Sequence, residues 1–458
     1  MQKNYVQEIL NIIHGNIPQA ELAEKLSDYH EKDLADALEA LMPAERKSLY
    51  PILGVDEVAE IFAYLDDAEP YLKELSRDEA AKVISNMDSD DAADALEGLD
   101  EIDKGEIVNK LDRDSIEDVK MLLSYSEDEI GSKMTTNYIR IKNDMTIRQA
   151  MSELVKQAGE NDNISVLYVV DENEHFYGAI DLKDLIIARA EDSLAELIVG
   201  SYPYVTDREK ISDCIERIVD YAERSLPVLN EAGKLMGIIT SSDVVELVDD
   251  EMSDDYAKLG GLTGEEDLRE SVFESVKKRL PWLTALLFLG MLVSSVVGAF
   301  ESVVAVLPVV ICFQSMVLGM AGNVGTQSLA VTIRVLVDEN LTVSKKFQLL
   351  WKEVRVGLLN GTILAVMALS FLGCYIHFFK GYAWNTALLL SGCVGASLVV
   401  AMVVSSLVGT LVPMLFHKIH IDPAVASEPL ITTINDLVAV VVYYGLAMVV
   451  LIDLFHLA

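Results

Sequence analysis

Hydrophobic positions change their spacing twice along this chain, and each change marks a new kind of structure. Over residues 1–130 they recur at helical intervals in short runs broken by acidic or proline-containing turns, which predicts a succession of short amphipathic helices. One run returns: DLADALEAL at 33–41 is echoed by DAADALEGL at 91–99. Repeating short helices that cannot bury an apolar face alone stack into a superhelix. Over residues 131–241 the pattern reads strand, helix, strand, strand, helix, twice. ISVLYVVD, FYGAI and DLKDLIIARA close the first copy, and SLPVLNEAGKLMGIITSSDVVELV closes the second and runs on into the next stretch. Residues 242–280 predict an acidic connecting helix and linker, broken at Gly260-Gly261.

Residues 281–458 hold five apolar segments, at 282–300, 303–337, 356–379, 387–416 and 423–455. The first would be about 28 Å long as a helix, enough to span a bilayer, and the longer ones predict tilt or kinks. The expected fold class is thus a multidomain membrane protein. It joins an all-α helical superhelix (1–130), a tandem α/β pair (131–241), the acidic connection (242–280) and an α-helical five-pass transmembrane domain (281–458).

Charge follows the same division. Of 73 acidic and 36 basic residues, 65 and 29 precede residue 281, a net −36 there against −1 beyond it. So acidic a surface repels nucleic acid and anionic lipid and attracts divalent cations. Lys277, Lys278 and Arg279 precede the first segment, and Arg334, Lys345, Lys346, Lys352 and Arg355 lie around the loop between the second and third. The positive-inside rule then places the acidic part in the cytosol and the C-terminus outside, at the plasma membrane. The four cysteines form no paired motif, and MQKNYVQEIL lacks the basic-then-apolar run of a signal peptide.

Polar groups inside apolar segments carry the chemistry. Asp436 sits within the fifth segment beside Thr432, Thr433 and Asn435, and an intramembrane carboxylate marks a functional site by default. Oxygen ligands there suit a hard cation such as Mg²⁺. Pro429 is expected to loosen this helix and free carbonyls. In the second segment, GMAGNVGTQS at 319–328 is expected to expose carbonyls, permit close helix approach and line a pore through Asn323 and Gln327, whereas the small residues of the fourth segment read as packing. Asp243, Glu246 and Asp250 form one stripe of the connecting helix, with Glu251, Asp254 and Asp255 beside it, an arrangement that invites a counter-ion. No phosphate-binding loop or nucleophile motif points to an enzyme. His417 and His420 read as interfacial rather than as zinc ligands.

The twofold strand-helix pattern resembles a tandem pair of CBS domains. In such pairs GIITSSD matches a nucleotide-ribose pattern whose contacts would be Thr240 and Asp243; the first copy has Asp181 where the second has Thr240. GNVGTQ at 322–327, DPA at 422–424 and P-x-x-T-T-x-x-D at 429–436, together with the domain order, resemble the MgtE family of magnesium transporters over essentially the whole chain. Thr326 stands where some members have Asn. The resemblance implies a homodimeric Mg²⁺-selective channel whose pore is lined by segments two and five, with Asp436 binding the hydrated ion and Asp422 at the cytosolic mouth. It implies Mg²⁺-sensing carboxylates at Asp90, Asp94, Asp243, Glu246, Glu251, Asp254 and Asp255, which close the pore when cytosolic Mg²⁺ is high. It also leaves room for ATP or another adenine nucleotide at the CBS pair. Two alternatives stay open: a secondary transporter of broader selectivity (Mn²⁺, Co²⁺), and a membrane-anchored CBS nucleotide sensor.

Overall fold

The computed structural model describes residues 5–15, 17–65, 67–159, 161–264, 270–336, 342–419 and 421–456; His420 and the first four residues, both read above, lie outside them. The chain forms two compact units, residues 1–247 and 248–458.

The first unit begins with helices α1 (Tyr5–Ile13), α2 (Gln19–Leu26), α3 (Glu31–Ala40), α4 (Pro43–Leu53), α5 (Val55–Ala63), α6 (Glu69–Leu72), α7 (Arg77–Ser85), α8 (Ser89–Glu97), α9 (Glu101–Val108) and α10 (Arg113–Leu122). Local signals start them. Ser76 and Glu79 form a reciprocal capping box on α7, and the Asp100 carboxylate accepts from two backbone amides of α9. The repeated sequence becomes α3 and α8, which bury the same four positions, Leu34, Ala35, Ala37 and Leu38 against Ala92, Ala93, Ala95 and Leu96. One ion pair is interior to this layer: Arg46, buried, meets Glu74 and also donates to the Leu41 carbonyl at 2.6 Å.

Two small sheets follow. Strands β1 (Ile139–Lys142), β2 (Val166–Val170) and β3 (Phe176–Asp181) form one, and β4 (Val205–Thr206), β5 (Ser225–Leu229) and β6 (Leu235–Thr240) the other. In both, the first pair is parallel and the second antiparallel, with a register slip at matching places. Their helices are α11 (Ile147–Gln157), α12 (Leu182–Ile187), α13 (Leu194–Leu197) and α14 (Ile211–Tyr221). The copies share a core in which Val166, Tyr168 and Val170 meet Leu229, Leu235 and Ile238, and Tyr168 Oη lies 2.6 Å from Ser225 Oγ. The chain entering the first copy crosses to the second sheet, where Thr135 bridges Ile238.

Helix α15 (Ser241–Leu259) starts in the first unit and ends in the second, at a turn where Gly261 takes φ +82°, a conformation that suits glycine. Among the described residues, five helices of the second unit are long and apolar enough to cross a membrane. They are α16 (Val272–Ala299), α18 (Ile311–Leu336), α19 (Val343–Phe378), α20 (Trp384–Lys418) and α21 (Glu428–Leu446), the last ending in a π-helical stretch, Ala447–Leu454. A short α17 (Glu301–Val306) and a turn at Pro308–Val310 precede α18.

Four expectations are corrected here. The glycine-rich run does not open its helix: α18 is continuous through 319–328, and the break falls earlier, at Leu307 and Pro308. Its glycines serve the close helix approach that the run was also expected to permit. A Cβ on Gly325 would collide with the Asn435 amide, and one on Gly409 with the Gly325 carbonyl. Pro429 does not loosen the fifth helix but lies in the first turn of α21, where a missing N–H costs nothing. Residues 423–455 are not one helix, since a 3-10 turn (Pro423–Val425) comes before it. Helix α19 begins at Val343 rather than 356, because its charged first turns are helical too.

Candidate functional site

Helix α21 holds the first candidate. Asn435 is fully buried against Gly325, and neither its Oδ1 nor its Nδ2 has a hydrogen-bond partner among the described residues. An unpaired amide in a helix bundle costs free energy unless a ligand or water takes it up. Asp436, the next residue, is partly exposed. Thr432 packs on Gly322, its Cγ2 3.1 Å from where a Cβ would be, while Thr433 spends its hydroxyl on the Pro429 carbonyl at 2.7 Å. On α18, Asn323 and Gln327 are exposed. They line a cavity of about 460 Å³ with Thr326, and its far wall carries Asn360 of α19, an amide that sequence reading passed over.

The second candidate is at the start of α8. Carboxylate oxygens of Asp88, Asp90 and Asp91 all lie within 4.8 Å of one another. Burial, then the charges of Asp243 and Asp88, pushes Asp90 up to about 7; burial and the neighbouring Asp90 push Asp91 to about 8. Asp243 is raised too, chiefly by burial, although Thr240 hydrogen-bonds it. Asp90 Oδ1 is buried without a hydrogen-bond partner among the described residues. Oxygen-only donors that resist ionising together fit a hard divalent cation. Sequence reading had Asp90 and Asp243 but missed Asp88 and Asp91, although the run DSDD at 88–91 showed all three carboxylates of the cluster. Asp94 points elsewhere and pairs with Lys133 at 2.9 Å, a lysine that also feels Glu246.

Thr240 and Asp243 serve each other. The Thr240 hydroxyl donates to Asp243 Oδ1 at 2.8 Å and its backbone N–H to Oδ2 at 2.7 Å, so the pair caps α15. Asp181 likewise caps α12, accepting from Lys183 N at 2.9 Å.

The third candidate is the end of α15. Lys258 Nζ lies 2.5 Å from Asp254 Oδ2 and 2.6 Å from Asp422 Oδ2. Burial opposes its charge, but hydrogen bonds to both carboxylates more than offset that and hold it above the ordinary lysine value. Burial and Asp422 push Asp255 up to about 6, and burial followed by Asp255 raises Glu251. Leu259 packs beside Leu329, Ala426 and Ile431, and Gly261 abuts the Pro429 ring. Asp250 also lies on α15.

An acidic helical layer, two like α/β sheets and five membrane-length helices, one with a carboxylate at its middle, define a multi-pass membrane protein with a large acidic part outside those helices. A family model described as a divalent cation transporter, MgtE, matches residues 314–446, the MgtE intracellular N domain matches 29–128, and CBS domains match 128–191 and 195–250. The chain belongs to the MgtE family. It is 37% identical to the magnesium transporter MgtE of Enterococcus faecalis over 89% of each chain. It is 32% identical to the Thermus thermophilus magnesium transporter MgtE over 74% of each. A crystal structure of the soluble part of a magnesium transporter superposes with a TM-score of 0.52 at 28% identity, covering 54% of this chain and 99% of that one.

Proposed function

We propose that this protein is a homodimeric Mg²⁺-selective channel that takes magnesium into the cell and is closed by cytosolic Mg²⁺. The observation that carries it is the pair on α21: a fully buried Asn435 amide without partners, next to Asp436 in a membrane-length helix. A carboxylate, an amide and hydroxyls suit a cation that sheds water reluctantly and is bound with its hydration shell. The magnesium transporters it resembles support the choice of ion. Asp422 lies between α20 and α21, where an ion entering or leaving by the cytosolic end of α21 would pass.

Closure by Mg²⁺ follows from charge. The carboxylates of Asp88, Asp90, Asp91 and Asp243 destabilise the packing around them when ionised, as do Glu251 and Asp255 near Asp422. A divalent cation bound to the packed state removes that cost, and differential binding of this kind shifts the equilibrium towards it. We place 1–130, 131–241 and 242–280 on the cytosolic side as sensor, coupling pair and plug, ahead of a pore domain at 281–458. An adenine nucleotide at the CBS pair would take Thr240 and Asp243 in the second copy; ATP binding unaffected by Thr240→Val would remove that part. Reconstituted protein decides the main proposal: Asp436→Asn should abolish or strongly reduce Mg²⁺ flux while leaving folding and dimer formation intact. Wild-type flux by the well-folded variant would sink it.

A further inference from the structure

Helix α19 carries a carboxylate that neither the fold nor the sites above have used. Glu353 is 5% exposed, inside a membrane-length helix, and its Oε2 accepts from Ser328 Oγ at 2.9 Å. Lys352 and Arg355 beside it are exposed, whereas Glu353 is turned inward onto α18. Leu349, Glu353, Gly357 and Gly361 follow one another at four-residue intervals on the buried face of α19, and the glycines seat α19 directly on α20. A Cβ on Gly357 would stand 2.5 Å from Ser406 Oγ and 3.0 Å from the Met402 carbonyl; one on Gly361 would stand 2.9 Å from Val399 Cα. The backbone under Glu353 is therefore fixed, and so is its carboxylate.

The partner of that carboxylate is informative. Ser328 ends the GMAGNVGTQS run of α18, one residue after Gln327 and one turn after Gly325, which packs between Asn435 and Gly409. Thr332, fully buried, donates to the Ser328 carbonyl at 2.7 Å on the same face. Successive helical residues diverge by about 100°, so holding Ser328 on the α19 side aims Asn323, Thr326 and Gln327 into the cavity they share with Asn360. Gly322 and Gly325 already seat α18 on Thr432, Asn435 and Gly409, and the Ser328–Glu353 bond adds a polar tie to α19.

We infer that Glu353 is a positioning residue: through Ser328 it fixes the rotation of α18 and thereby the placement of the amides that discriminate among divalent cations. This rests on the reading of α18 as pore lining, and the test separates the two. Full-length protein in liposomes is assayed for Mg²⁺ and Mn²⁺ flux as wild type, Ser328→Ala, Glu353→Gln, Glu353→Ala, the Ser328→Ala/Glu353→Ala double variant, Asn323→Ala and Gln327→Ala. Ser328→Ala removes the same hydrogen bond with one atom lost, so the test survives a Glu353→Ala protein that does not fold. Ser328→Ala and Glu353→Ala should each lower Mg²⁺ flux about 10-fold and shift the Mg²⁺ to Mn²⁺ flux ratio, and the double variant should be no worse than either. Glu353→Gln, whose amide oxygen still accepts from Ser328, should stay within about 2-fold of wild type. An unmoved flux ratio in Ser328→Ala, or a Glu353→Gln as impaired as Glu353→Ala, overturns the positioning role while Asn323→Ala and Gln327→Ala still change the ratio. If those two variants match wild type, the pore lining itself falls and the brace with it.

Discussion

Neutralising the acidic cluster of α8 should make the protein more robust without Mg²⁺ and nearly indifferent to its addition. The oxygens of Asp88, Asp90 and Asp91 approach within 4.8 Å, where two full charges repel by about 3 kcal/mol at an effective dielectric of about 20. The cluster avoids part of this by holding protons: burial and mutual repulsion push Asp90 up to about 7 and Asp91 up to about 8, well above an ordinary aspartate. Because these folded-state values lie above the unfolded ones, the folded protein binds protons that the unfolded chain has released. Stability from this cluster is therefore full below about pH 4 and is lost as pH rises through about 7 to 8, by on the order of 4 kcal/mol for one such group. The groups are coupled, so that figure is not multiplied by their number.

Mg²⁺ binds the ionised form and reverses the loss, so its stabilising effect should grow between pH 6 and pH 8 as protons cease to compete. Amide hydrogen exchange of full-length protein, corrected for the intrinsic pH dependence of exchange, reads the local opening of Ser89–Glu97 and of the adjoining segment 134–137. Asp88 accepts from Asn137 Nδ2 at 2.7 Å there, and Ser89 from Thr136 N at 2.8 Å. At pH 8 in chelator, Asp90→Asn/Asp91→Asn should gain about 1–3 kcal/mol of protection over wild type. Millimolar-range Mg²⁺ should raise wild-type protection by a similar amount and the variant's hardly at all. Equal Mg²⁺ protection in both proteins, or a wild-type effect that is flat from pH 6 to 8, would refute the reasoning.

Lys258→Gln leaves Asp254 and Asp422 facing each other without their shared ammonium, so proteolysis around Gly260-Gly261 should accelerate in chelator and slow again in Mg²⁺; digestion identical to wild type in chelator would argue against this. Gly325→Ala should prevent the pore domain from assembling, because the added methyl collides with Asn435, and a monodisperse variant with full flux would contradict the packing. Glu74→Ala strands a buried Arg46 and should cost about 3–5 kcal/mol, more than the paired exchange Arg46→Met/Glu74→Leu, as denaturant unfolding of each would show.

What the sequence made legible follows the physics of each signal. Periodicity reports burial, so the repeat at 33–41 and 91–99 predicted two helices that bury the same positions, and the twofold strand pattern predicted two like sheets. Glycine and proline were misread in the membrane part because their effect depends on what stands opposite. Within α18 the glycines were read as exposing carbonyls, yet what they serve is the close approach of Thr432, Asn435 and Gly409; Pro429 read as loosening its helix only while the start of that helix was placed too early. Charge was the least legible property. Acidic residues counted along the chain suggested metal ligands throughout, but a carboxylate's role is set by the nearest cation in space. Asp94 and Asp254 are answered by Lys133 and Lys258, whereas Asp90 and Asp91, one turn from Asp94, have no such partner among the described residues and resist ionising. Glu353 shows the converse. Flanked by Lys352 and Arg355 it reads as one charge in an interfacial run, and only the close seating of α19 on its neighbours turns it inward to Ser328. An ionisable residue in such a chain is therefore assigned by two questions in order: whether its backbone is free to carry it to water, and, if not, what holds its charge.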